Sequence, residues 1–204
     1  MDLKALEEIS NLTNKYNAQL LPVIKDKKIE DIKKLYEIGF TEFGENRLEQ
    51  LLDHKDKLGD CKFHFIAPLQ SRKIEQIMEN CISIHTLSRK KEALIINKNY
   101  SNQKVFVQIN IDNDQNKSGI KVEEVEIFFS IFEELSYFPE GIMCIPGLKN
   151  DRKNAFSKMQ IINDNIKNNY KNYKGELSMG MSDDYEIALD YGATIVRIGS
   201  KIFK

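Results

Sequence analysis

A lysine that closes an apolar run is the first residue of this chain with chemistry to offer. Leu20, Leu21, Pro22, Val23 and Ile24 are apolar, and Lys25 is the first residue after them that is not. In a barrel of parallel strands, small-molecule sites are built at the carboxyl ends of the strands, where Lys25 falls. A partly desolvated lysine loses its proton readily, and the neutral amine adds to aldehydes to give a Schiff base. The same pattern arises wherever a strand simply meets water, so this stretch alone leaves both readings open.

Two later loops suit an anion. Ser178-Met179-Gly180-Met181-Ser182-Asp183-Asp184 runs from a strand into a helix, and Arg197-Ile198-Gly199-Ser200 follows the last strand. Glycine lets the backbone approach a ligand, serine adds a hydroxyl donor, and barrels often hold phosphate groups with their last two loops and a helix N-terminus. Asp183 with Glu186 also fits a capping box, and capping and phosphate binding can coexist. Arg197 lies inside the apolar run Ile195 to Ile198, and a buried arginine needs partners. Either a core carboxylate pairs with it, or it donates to a ring nitrogen of a ligand. His64 and His85 fall at strand ends, as hydrogen-bonded structural histidines or as catalytic groups.

The elements that must position these residues alternate. Apolar spacing predicts helices over 2–16, 28–38, 47 onward, 71–80, 88–97, 122–135, 151–170 and 183–191. Strands are predicted at 20–25, 41–43, 63–66, 82–84, 104–109, 141–144, 177–178 and 193–198. Strand–helix alternation points to parallel pairing and an α/β fold, a (β/α)8 TIM barrel. The rival, an open doubly wound sheet, usually brings a glycine-rich turn after its first strand; here that turn is Lys25-Asp26-Lys27. The first helix is expected to fill the slot that a helix after the final strand would take. No linker or repeat divides the chain, so residues 1–204 are expected to form one domain.

Composition excludes several classes. Lysine plus arginine (30) balance aspartate plus glutamate (31), which argues against a nucleic-acid role driven by bulk charge. No apolar run approaches the ~18 residues of a membrane span, and the start lacks the apolar core of a signal peptide. The three cysteines, Cys61, Cys81 and Cys144, are scattered without metal-ligand spacing, which suggests free thiols in a cytoplasmic protein. There is no defensible acid/base pair, catalytic triad or metal cluster.

Taken in order, several segments resemble the pyridoxal phosphate homeostasis proteins (the YggS/PROSC family) over nearly the whole chain. They are Leu20 to Lys25, Phe43-Gly44-Glu45-Asn46, His64-Phe65-Ile66-Ala67-Pro68-Leu69-Gln70-Ser71, Asn116-Lys117-Ser118-Gly119, Met179 to Asp184 and Arg197 to Ser200. The resemblance implies a barrel of the alanine racemase N-terminal-domain type that carries pyridoxal 5′-phosphate. Lys25 matches the lysine that forms the Schiff base, and Asn46 a ring-side contact. Ser182, Gly199 and Ser200 match the phosphate cradle, and Arg197 the arginine facing the pyridine nitrogen. Lys27, Lys117 and His64 are secondary candidates; Lys117 matches a lysine implicated in moving or holding the cofactor.

The sequence departs from the family pattern at Ile24, Ala67 and Arg72, at Ser200 where threonine is usual, and in the short terminus Lys201-Ile202-Phe203-Lys204. These changes leave the chemistry in place and bear on affinity. An arginine opposite the pyridine nitrogen disfavours protonation there and weakens the electron sink. Racemases of similar fold add a second domain that this length does not accommodate. The resemblance therefore implies a monomeric carrier or buffer of the cofactor, without established turnover, that serves apo-enzymes as recipients. The alternative is a small racemase-like enzyme.

Overall fold

A computed structural model describes residues 1–147 and 151–203; Lys204, part of the departing terminus, lies outside them. The strands are β1 (Gln19–Pro22), β2 (Glu42–Glu45), β3 (Lys62–Phe65), β4 (Ser83–Leu87), β5 (Lys104–Asn110), β6 (Ile120–Lys121), β7 (Gly141–Cys144), β8 (Glu176–Ser178) and β9 (Ile195–Ile198). They pair in the order β1-β9-β8-β7-β5-β4-β3-β2, with the two-residue β6 beside β5. Every pairing is parallel. The seam between β1 and β2 closes through one parallel bridge, Val23 to Gly44, with Ile24 N–H donating to Gly44 O at 3.0 Å. This is the eight-stranded barrel that the alternation predicts.

The helices that follow the strands are α2 (Ile29–Glu37), α3 (Leu48–Leu58), α4 (Ile74–Asn80), α5 (Lys90–Lys98), α6 (Val125–Ser130), α7 (Arg152–Asn169) and α8 (Tyr185–Asp190). The helix expected over 122–135 is broken: 3₁₀ turns Val122–Glu124 and Ile131–Glu134 flank α6. Its run of valine, isoleucine and phenylalanine has modest helix propensity. Its rings pack instead into an aromatic cluster of Phe128, Phe129, Phe132, Phe138, Tyr170 and Tyr173.

The leading helix, α1 (Leu3–Lys15), is capped by Asp2, whose carboxylate accepts from Ala5 N. It buries Leu6 and Ile9 in the same core as Ile202. Asp2 N donates to Ile202 O at 2.8 Å, and Tyr16 Oη to Asp190 at the end of α8 at 2.5 Å. The helix thus closes the ring beside the last strand, as its position in the sequence predicts.

Side chains alternate across each strand, so the barrel has two separate cores. Outward residues such as Phe43, Phe63, Ile84, Val107, Ile142 and Val196 join the large core under the helices. Inward residues Leu21, Phe106, Met143 and Ile195 form a small separate cluster with Ile66. Further inward positions, among them Glu42, His64, His85, Gln108, Ser178 and Arg197, are polar and carry the site's inner wall.

Candidate functional site

The first strand stops earlier than its apolar run suggests. β1 ends at Pro22, and Lys25 lies in the turn beyond, exposed rather than partly desolvated. Asp26 takes a left-handed φ of 54° and is clamped from α3: Arg47 Nη1 donates to its carboxylate at 2.8 Å and Gln50 Nε2 at 2.9 Å. Those hydrogen bonds, with Gln50 the larger influence, and the neighbouring lysines hold the Asp26 carboxyl below its ordinary value. The clamp fixes the turn, while among the described residues no hydrogen bond or ion pair engages the Lys25 amine. Lys27 is engaged: its Nζ stands 5.2 Å from the centre of the Phe203 ring.

The expected partners gather around this turn. Val23 joins Gly44 on one side and packs on Gly199 on the other, where an added Cβ would sit 3.3 Å from Val23 O. Asn46 follows β2, and its Oδ1 is buried without a partner. Ser182 Oγ accepts from Lys201 N at 3.3 Å, which ties the loop after β8 to the loop after β9. A serine oxygen that accepts in this way keeps its own hydrogen to donate. Among the described residues, the backbone N–H groups of Ser182, Gly199 and Ser200 have no acceptor. Lys25, Asn46, Ser182, Gly199 and Ser200 therefore follow neighbouring strands and share one sector of the rim.

The capping box does not form. α8 begins one residue later than Asp183 would require, and Asp183 is exposed. Asp184 is the buried acid instead: it accepts from Met181 N at 2.7 Å and pairs with Arg152 Nε at 3.0 Å. With only six residues, α8 offers little dipole, so the anion-binding potential rests on the loop amides and Ser182.

His64 and His85 are not at strand ends. Both lie within strands, fully buried, and both face the barrel interior. His64 is bonded at both ring nitrogens, to His85 and to Glu42, so it lies beneath the rim rather than on it. Glu45, expected in a loop, is likewise the last residue of β2 and points outward, 3.3 Å from His54 of α3.

Arg197 is buried in the interior. Its Nη1 donates to Ser178 Oγ at 2.7 Å and its Nη2 to Cys144 O at 2.9 Å. No carboxylate among the described residues lies within ion-pair distance of it, which removes the paired-core-arginine reading. Burial pushes its pKa down from the usual arginine value.

Across the mouth, Lys117 Nζ is held by Asp112 at 2.5 Å and Ile145 O at 3.2 Å. Lys117, Ser118, Asn110, Gln108, Thr86 and Ile145 border a cavity of about 210 Å³. Gln108 Oε1 is buried there without a partner. Sequence reasoning missed Gln108, Asp112 and Arg152; the first is marked only by its inward register between Phe106 and Asn110. A larger cavity, about 680 Å³, lies elsewhere, beside Tyr100, Phe132 and Tyr170. It adjoins none of the residues above.

A family model described as "Alanine racemase, N-terminal domain" matches residues 2–204. The pyridoxal phosphate homeostasis protein of Aquifex aeolicus (strain VF5) is 35% identical over 196 residues, covering 91% of this chain and 86% of that protein. The protein of the same name from Haemophilus influenzae is 36% identical over 203 residues, covering 93% and 86%. Among solved structures, PipY of Synechococcus elongatus PCC7942 without PLP superposes with a TM-score of 0.88 at 25% identity, covering 97% of this chain and 99% of that one. PipY with PLP bound gives 0.86 at 23% identity, covering 98% and 100%.

Proposed function

This chain belongs to the pyridoxal phosphate homeostasis family, built on the alanine racemase N-terminal domain, and from that premise we propose that it binds pyridoxal 5′-phosphate and carries or buffers it inside the cell. The whole of residues 1–204 serves as one cofactor-binding domain. Lys25 would hold the cofactor: its amine would be the nucleophile offered to the cofactor's aldehyde. The observation that carries this reading is an amine without a partner among the described residues, on a clamped turn that follows Val23, the residue packed on Gly199.

The residues present fit the group. The loop amides of Ser182, Gly199 and Ser200 and the two serine hydroxyls suit a phosphate. The orphaned Asn46 Oδ1 suits a ring-side donor, and Arg197 the ring nitrogen. Lys27 and Lys117 contribute positive charge at the rim, and His64 acts from below it. The cofactor, when bound, supplies an aldehyde and a conjugated ring; the protein decides how far that reactivity is used. A guanidinium placed beside the ring nitrogen would disfavour a proton there, which would weaken amino-acid chemistry and favour carriage over catalysis.

The test is the absorbance spectrum of purified protein before and after pyridoxal phosphate is added, with borohydride trapping and mass mapping of the modified peptide. The expected result is a coloured, reducible adduct on the peptide containing Lys25, absent from Lys25→Ala. An adduct of the same size on that variant defeats the assignment. Sustained turnover of L-alanine or another amino acid at ordinary rates, roughly 1 per second or more, defeats the carrier reading.

A further inference from the structure

A file of polar side chains crosses the inside of the barrel from one rim to the other. It begins at Glu42, the first residue of β2, whose carboxylate is about one-third exposed (32%) and accepts from Gln19 Nε2 at 2.6 Å. Glu42 Oε2 lies 3.0 Å from His64 Nε2. His64 Nδ1 lies 3.0 Å from His85 Nε2. His85 Nδ1 lies 2.8 Å from Ser178 Oγ, and Arg197 Nη1 donates to that same oxygen at 2.7 Å. β4 and β8 are not neighbours in the sheet, so the His85–Ser178 bond spans the interior. The His85 ring is steadied by Phe106, stacked 4.5 Å away. His64, His85, Ser178 and Arg197 are all buried.

The chemistry of the two ends fixes the hydrogens between them. A guanidinium only donates, so Ser178 Oγ accepts from it; a carboxylate only accepts, so His64 Nε2 carries a hydrogen. If both imidazoles are neutral, a single arrangement satisfies every contact. His64 Nδ1 accepts from His85 Nε2–H, and His85 Nδ1 accepts from the Ser178 hydroxyl. Each hydrogen then points away from Arg197 and toward Glu42. Burial, with the positive charge of its surroundings, pushes the His85 pKa well below its ordinary value, in keeping with a neutral ring.

We infer that these five groups form one directed hydrogen-bond chain whose sense is set by Glu42, and that Glu42, His64, His85 and Ser178 are positioning residues for Arg197. The chain turns the serine lone pairs toward the guanidinium, fixes Nη1, and leaves the other end of the arginine to be aimed by Cys144 O. A carboxylate at the amino-terminal rim thereby acts on a group that serves the opposite rim. That Arg197 in turn faces a pyridine nitrogen rests on the function proposed above; the chain itself does not.

The test begins without any cofactor. The protein has three histidines, so long-range ¹H–¹⁵N spectra of histidine-labelled protein resolve each ring. His64 and His85 are expected to be neutral at pH 7, each with its hydrogen on Nε2. A hydrogen on His85 Nδ1, or a doubly protonated His64, overturns the inference. Glu42→Gln keeps an acceptor and is expected to keep both tautomers. Glu42→Lys offers only donors, and is expected to move both hydrogens to Nδ1; tautomers unchanged in a folded Glu42→Lys protein overturn Glu42 as the determinant. If Glu42→Lys does not fold, the tautomers of the parent and of Glu42→Gln still decide. With pyridoxal phosphate added, the absorbance band of the bound cofactor is expected to shift in Glu42→Lys and to match the parent in Glu42→Gln. Flipped tautomers with an unmoved band overturn the coupling to the rim. Failure of the parent to take up the cofactor defeats the proposed function instead, and the histidine spectra then judge the chain by themselves.

Discussion

Arg152 Nε lies 3.0 Å from Asp184 Oδ2, and this pair joins the start of α7 to the loop that follows β8. The other oxygen of Asp184 accepts from Met181 N at 2.7 Å, so one buried carboxylate sets the path of Met181 to Asp184. Arg152 also donates from Nη1 to Gly147 O, tying in the segment after β7. Ser182 and its free N–H owe their position to an ion pair that touches no ligand.

Asp184→Ala is accordingly expected to lower stability by about 2–4 kcal/mol, because it strands a largely buried guanidinium and an amide together. Urea unfolding measures the loss. Pyridoxal phosphate affinity is expected to fall with it, since the loop amides lose their register. Asp184→Asn keeps an acceptor for Met181 N and is expected to recover part of both. A variant within about 0.5 kcal/mol of the parent would mean that the loop is held by something else.

Glu42 carries a pH dependence whose sign can be worked out. The hydrogen bond from His64 is the largest influence, with that from Gln19 adding to it, and the carboxyl is held down at about 2. A depressed carboxylate stabilises the fold above its unfolded pKa of about 4.3, and that contribution disappears as pH falls toward the folded value. Glu42→Gln has no such group. The stability gap between parent and variant is expected to be widest above pH 5 and to close between about pH 4.5 and 2. At this partly exposed rim the gap is worth about 1–2 kcal/mol. Urea midpoints at pH 6, 4 and 2.5 measure it, and a gap that stays constant over that range would mean the carboxylate titrates alike in both states.

Much of this architecture is legible in the residue pattern, for reasons that also explain what is not. Switches between two-residue and helical periodicity mark every barrel strand, and glycine and serine mark the loops at 180–182 and 199–200. Lys25 stands out because it breaks an apolar run. His85 and Thr86 look like the end of a strand for the same reason, yet β4 continues through both to Leu87. A polar residue inside a strand and one at its edge have the same hydropathy. Only inward register and a partner across the barrel tell them apart. Arg197 announces that it needs partners but not which: a carboxylate is the common expectation, and a hydroxyl and a carbonyl are the finding. Arg152 and Asp184 sit on different elements, so nothing local in the sequence links them.

The cysteines are expected to be inert. All three are buried, and burial pushes the Cys81 and Cys144 thiols up to about 12 and raises Cys61 as well. The thiolate is the reactive form, so a disulfide reagent at pH 8 is expected to label the native protein slowly and to titrate three thiols once it is unfolded. Fast labelling of one native thiol would mark a local opening, and mass mapping would identify it.

Arg197→Met separates a role in folding from a role at the site. Methionine is unbranched and adaptable, and it fills much of the space of the arginine stem. The change leaves Cys144 O and Ser178 Oγ without a donor, a cost of about 1–3 kcal/mol, but it also removes an unpaired charge from the interior, which offsets part of that cost. The fold is therefore expected to survive with a melting temperature a few degrees lower at most. On the proposed placement of Arg197 opposite the ring nitrogen, the spectrum of bound pyridoxal phosphate is expected to change when that cation is removed. Circular dichroism during heating reads the first expectation and cofactor absorbance the second. An unfolded variant would make Arg197 a structural group after all. A folded variant with an unchanged cofactor band would mean that its guanidinium faces something other than the ring nitrogen.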